Sequence, residues 1–76
     1  MRKDRELIDP KSCLNRAHGD ELLFVLLGRD PAAPHAIREW AKRRIELGKN
    51  AIGDAQIQEA LQTAHEIEAG QAPSGN

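Results

Sequence analysis

Six consecutive apolar residues, Leu22, Leu23, Phe24, Val25, Leu26 and Leu27, stand in a chain whose other apolar positions are spaced out among polar ones. A run without a polar break needs cover on every side, and periodicity alone does not separate helix from strand in so short a stretch. Leucine outnumbers the β-branched residues, Asp20 with Glu21 supplies a helix start and Gly28 a stop, so the run is expected to be helical. No second strand-like segment exists in the chain. A strand here would therefore have to pair with another subunit.

Downstream the spacing is amphipathic. Asp30, Pro31 and Pro34 open a helix expected over residues 34–47, because proline in a first turn removes only N–H groups that lack a partner anyway. Ile37, Trp40, Ala41 and Ile45 form its apolar stripe, and Gly48 closes it. Asp54 is expected to cap a last helix with the stripe Ile57, Ala60, Leu61, Ala64 and Ile67, ended by Gly70. Upstream, residues 1–11 read as a flexible charged arm whose Leu7 and Ile8 are free to dock on a neighbour. Ser12 caps a short helical turn over residues 12–17 with Leu14 pointing inward. Residues 70–76 have the composition of a disordered tail. The expected architecture is all-α: a small helical hairpin with a short preceding helix, in a single domain over residues 12–69.

Size sharpens this picture. A chain of 76 residues buries only about 60% of its unfolded surface and usually needs a disulfide, a metal or a partner chain. One cysteine, Cys13, excludes an internal disulfide, and Cys13, His18, His35 and His65 show no zinc-ligand spacing. Oligomerisation remains, so a homo-oligomer assembled through residues 22–27 is expected. The formal net charge of −1 gives no global pull toward nucleic acid or membrane. No apolar stretch approaches the roughly 18 residues that span a bilayer. The charged N-terminus lacks the apolar region of a secretory signal, and a single unpaired cysteine fits a reducing compartment. A cytoplasmic protein is expected.

Charge is unevenly shared. Residues 29–49 carry six basic side chains against three acidic ones, a net +3, and residues 50–76 carry four acidic and no basic ones, a net −4. A basic helix followed by an acidic one suits mutual packing. Arg44 lies only about 20° from Ile37 on the helical wheel and four residues after Trp40. It stacks on Trp40 with its head reaching water, presents a half-buried guanidinium to an anionic group, or forms a salt bridge at an interface. Arg38, Lys42 and Arg43 lie off the stripe on a solvated face. Trp40 reads first as a core or interface anchor and second as a stacking platform. Arg29 at the helix entry either belongs to plain turn chemistry or helps to hold an anion. Cys13 has no base and orienting group at a recognisable spacing, and no metal-ligand or paired-carboxylate constellation stands out. No catalytic residue and no cofactor is expected.

The string Ser12-Cys13-Leu14-Asn15-Arg16-Ala17, followed by Asp20-Glu21, Phe24-Val25-Leu26, Arg29-Asp30, Ala33-Pro34, Ile37 and Trp40, resembles a group of small phage and prophage proteins. The resemblance covers roughly residues 11–68. It departs at Leu22, where the group's pattern has proline. It implies a small accessory protein of a virus or integrated element, of a kind that blocks a host factor. One mode in such proteins is an oligomeric sponge that captures a nucleotide-derived immune signal between subunits, and another caps a host enzyme by direct contact. The expectation is a non-enzymatic phage protein that counters host defence by sequestering a nucleotide-like anion. Arg44, Arg29 and Arg38 would contact phosphate, Trp40 would stack, and Asn15 or Arg16 would close the pocket. The alternatives are a protein–protein inhibitor using the same helix and Trp40, and third a DNA-binding regulator, for which the positive excess is small.

Overall fold

Proline chemistry and a left-handed glycine bracket the central helix. The computed structural model describes residues 2–71 and holds four helical segments, α1 (Lys3–Ile8), α2 (Cys13–Arg16), α3 (Ala33–Glu46) and α4 (Ala55–Gln71). All regular structure among the described residues is helical. Before α3, the Asp30 carboxylate accepts from the Ala32 N–H at 2.9 Å and Pro34 occupies the first turn. After α3, Gly48 sits at φ +72°, its N–H bonds the Ile45 carbonyl, and the Lys49 N–H reaches the Arg44 carbonyl, each at 3.0 Å. This is the paired closure that a C-terminal glycine permits, because a left-handed backbone carries no Cβ penalty there.

α3 and α4 pack against each other as the expected hairpin, and α1 packs on α2. The core is small: Ala33 and Ala41 from α3 meet Ile57, Ala60 and Ala64 from α4, with Pro34 also fully buried. Ile37, Ile45, Leu61 and Ile67 lie half-buried along the same seam. Both predicted stripes therefore face the helix pair, with Trp40 at its edge, 39% exposed.

Several expectations are corrected at the ends of these elements. The N-terminal arm is not wholly irregular, since α1 takes up six of its residues. Ser12 caps α2 as expected, accepting from the Asn15 N–H at 3.2 Å, and its hydroxyl also donates to the Glu6 carbonyl at 2.7 Å. Leu14, expected inward, is exposed, because α2 is too short to have a buried face. Asp54 stands at the head of α4, with its carbonyl taking the Gln58 N–H. Its carboxylate turns back to the Ala51 N–H and the Asn50 amide rather than capping the helix. Gly70 does not end α4, which continues to Gln71. The Gln71 amide donates to the carbonyls of Gly28 and Asp30, both at 2.8 Å, tying the helix end to the preceding loop. The rest of the predicted tail, residues 72–76, lies outside the described residues.

The largest correction concerns residues 22–27, which are not helical. Asp20 starts no helix, and the Glu21 carboxylate accepts the His18 N–H instead. A six-residue helix that is apolar all round needs cover on every side and is marginal on its own. Among the described residues the one apolar seam is already filled by α3 against α4. Leu26 alone of the run is half-buried; Leu22 is 96% exposed, Phe24 87% and Val25 69%. The chain exposes 6306 Å², where a globular monomer of this mass exposes about 4,600 Å². Its radius of gyration is 13.7 Å against about 11.4 Å for a compact domain of this length.

Candidate functional site

Leu26 forms a ridge between two open clefts. One, of about 870 Å³, is lined by Cys13, Arg16, Phe24, Ile37 and Trp40 as well as Leu26. The other, of about 1130 Å³, is lined by Arg2, Gly28, Arg29, Pro31 and Ile67, again with Leu26. The first holds two aromatic side chains, a guanidinium and a thiol. The second holds Arg29 beside the end of α4. Both are broad, largely apolar troughs; the first carries Glu6, Asp9 and Glu59 as well as Lys11 and Arg16 at its edge, the second Arg2 and Arg29 with Glu66.

The six residues singled out for ligand binding do not converge on one pocket. Arg44 stacks on Trp40, its guanidinium carbon 5.9 Å from the ring centroid, and its Nε donates to Asn50 Oδ1 at 2.7 Å. Asn50 in turn donates to Asp54 Oδ2 at 3.0 Å and to Gln56 Oε1 at 3.2 Å. Trp40, Arg44, Asn50 and Asp54 thus form one chain of contacts that fastens the α3–α4 loop. Arg38 is committed as well: its two terminal nitrogens donate to the two Glu68 oxygens at 2.9 and 3.1 Å. This fork-to-fork pair joins the basic helix to the acidic one and restricts the geometry more than a single contact would. The charge asymmetry of the sequence pointed to such a pairing without naming its partners.

Asn15 also has a structural job. Its side-chain amide donates to the carbonyls of Glu6, Leu7 and Asp9 at 2.9, 3.2 and 2.9 Å, satisfying acceptors that the end of α1 leaves open. Arg16 lies in the Trp40 cleft and donates from Nη2 to the Cys13 sulfur at 3.3 Å. Arg29 lines the opposite cleft and has no hydrogen bond or ion pair among the described residues. The cysteine is exposed. No cluster of three or more His, Cys, Asp or Glu among the described residues is placed to hold a metal ion. No helix among the described residues is long and apolar enough to cross a membrane.

Two carboxylates are shifted by these contacts. The Ala51 N–H, and after it the Asn50 amide, hold the Asp54 carboxyl below the usual range. The Arg38 hydrogen bonds, and then its charge, do the same for Glu68. A depressed native pKa contributes stability that is present above the unfolded value and lost as pH falls through the native one. The unfolded values are about 3.9 for Asp and 4.3 for Glu. Melting temperature is therefore expected to hold between neutral pH and mild acid and to drop below about pH 4. An Asp54→Asn, Glu68→Gln double variant should show a shallower drop. An acid profile unchanged in that variant would assign the loss to other groups.

From the sequence Phe24 reads only as part of an interface, yet it shares a cleft with Trp40. The spacing of 16 residues carries no periodic signal; the loop between them makes the approach. No protein-family model matches the chain, and no curated protein and no solved structure matches it significantly.

Proposed function

We propose that this chain is a non-enzymatic accessory protein that self-associates through residues 22–27 and acts by capping a protein target. Its contact surface is the apolar trough around Phe24 and Trp40. The observation that carries this reading is the run itself: five of its six apolar residues are more than half exposed on a chain with far more surface than a compact monomer. Exposed apolar patches of that kind are held in reserve for a macromolecular partner. The resemblance to small phage proteins supplies the setting, a counter-defence inhibitor acting on a host factor in the host cytoplasm. Arg16 at the trough edge would add a polar rim contact, and Trp40 would be the anchor, as aromatic residues at the centre of interfaces commonly are.

Capture of a nucleotide-like anion is the second reading. Its support is Arg29, free of ion pairs among the described residues at the edge of the larger cleft. Its weakness is that Arg38, Arg44 and Asn15 are held by partners within the chain.

The two readings separate in one experiment. Tagged protein purified from a bacterial host is expected to bring down one host protein at near-equal amounts. Trp40→Ala should lose that protein while retaining its helical circular dichroism. Absence of any co-purifying protein, together with a thermal shift from cyclic nucleotides or ADP-ribose derivatives that disappears in Arg29→Ala, would replace the first reading with the second.

A further inference from the structure

Covering the side chains of residues 22–27 solves only half of the problem they pose. Their backbone N–H groups, and the carbonyls of residues 22–26, have no hydrogen-bond partner among the described residues. A partner that excludes water from the apolar side chains must also satisfy this backbone, since an unpaired buried peptide group costs about as much as a lost hydrogen bond. Addition of a strand satisfies the backbone directly and sets the apolar side chains of the two copies beside one another. We infer that residues 21–29 pair antiparallel with the same segment of a second copy, in the register that places Val25 on the two-fold axis and Glu21 opposite Arg29. This deepens the self-association proposed above and rests on it.

Charge selects the direction. The segment begins with Glu21 and ends with Arg29. Parallel pairing in register would set Glu21 beside Glu21 and Arg29 beside Arg29, and like charges directly opposite are destabilising. Antiparallel pairing reverses one strand and brings unlike ends together.

Symmetry and charge together select the register. Side chains that oppose each other across an antiparallel pair share a face of the ribbon, while successive residues alternate between faces. A two-fold axis perpendicular to the ribbon keeps every residue on its own face, so odd-numbered positions meet odd and even meet even, and one residue must lie on the axis. With Val25 there, Leu23 opposes Leu27, Phe24 opposes Leu26, and Leu22 opposes Gly28. Glu21 opposes Arg29 at both ends. The neighbouring permitted register, with Phe24 on the axis, sets Glu21 against Leu27 and Arg29 against Gly19, and both ion pairs disappear.

Leu26 and Gly28 fall on the same ribbon face; Leu26 is half-buried and a Cβ on Gly28 would lie 3.6 Å from Ile67 Cγ1, while Leu22 and Phe24 on that face are the most exposed residues of the run. The other face carries Leu23, Val25 and Leu27 between the two ion pairs.

Single-cysteine variants in a Cys13→Ser background test the register. Under mild oxidation Val25→Cys is expected to form a covalent dimer readily, because the two Cα atoms are then about 5 Å apart. Glu21→Cys alone should form at least about tenfold less, its copies lying roughly 26 Å apart along the ribbon. An equimolar mixture of Glu21→Cys and Arg29→Cys should yield the mixed dimer. Glu21→Arg should weaken dimerisation about tenfold, with recovery in the Glu21→Arg, Arg29→Glu double variant. Equal cross-linking at positions 21 and 25 would mean a parallel pair, and stronger cross-linking of Phe24→Cys than of Val25→Cys would mean another register; either overturns the inference. A wild-type dimer in light scattering without cross-linking at position 25 would overturn this inference and leave self-association standing. A wild-type monomer at its highest soluble concentration would overturn both.

Discussion

Ile57→Ala is expected to leave the chain largely unfolded at room temperature. Ile57 is completely buried, and among the described residues only Pro34 shares that among the larger side chains; the rest of the core there consists of the alanines at 33, 41, 60 and 64. Truncating a buried isoleucine to alanine costs about 2–5 kcal/mol when the site cannot collapse. Alanine neighbours on two helices have no side-chain freedom with which to fill the space. A single core in a chain this short supplies only about 3–5 kcal/mol. The change is thus as large as the whole stability. Far-ultraviolet circular dichroism and urea titration would show it as lost helix and a collapsed midpoint, while Ile57→Val, at about 0.5–1.5 kcal/mol, should remain folded with a lowered midpoint. A cooperative Ile57→Ala transition within about 1 kcal/mol of wild type would show that stability resides elsewhere, for example in contacts between subunits.

Val25→Asp should have the opposite character, abolishing association without loss of the hairpin. Val25 is 69% exposed and lines neither cleft of the monomer, so the isolated chain loses nothing by the change. In a paired ribbon with Val25 on the axis, the variant would set two carboxylates against each other in an apolar band. Like charges there remove the contact and leave each desolvated without a partner. Light scattering is expected to read a monomer, with helical dichroism unchanged. Leu26→Asp is a poorer probe, because Leu26 also packs on the hairpin and its loss would damage the monomer. If Val25→Asp remained associated, the interface would lie outside residues 22–27. If it unfolded, the segment would belong to the subunit's own core.

The same contrast explains what could be read in advance. Pro34, Gly48 and the stripes on α3 and α4 depend on local backbone rules and on a period of 3.6 residues, both of which a linear sequence displays. Ser12 as a cap belongs with them. Arg44 over Trp40 was legible as well, since residues four apart on a helix are neighbours. The fates of Arg38 and Asn15 were not. Arg38 finds Glu68 thirty residues away, and Asn15 finds the carbonyls at the end of α1 only because α2 folds back on it. Both side chains carry groups that would suit a ligand, and only the three-dimensional arrangement shows that the chain itself uses them.

By itself, then, the sequence determined the helical hairpin, its two apolar stripes, its turn and the opposite charges of its helices, because each follows from contacts within a few residues or from a net balance that position does not alter. Tertiary structure alone decided the state of residues 22–27. The run had enough leucine for a helix, but conformation in so short a segment follows from what is left to cover it. With the seam between α3 and α4 already closed by alanines and Ile57, nothing within the subunit remained to bury a helix that is apolar on all sides, and the segment lies open along the hairpin with its backbone unpaired.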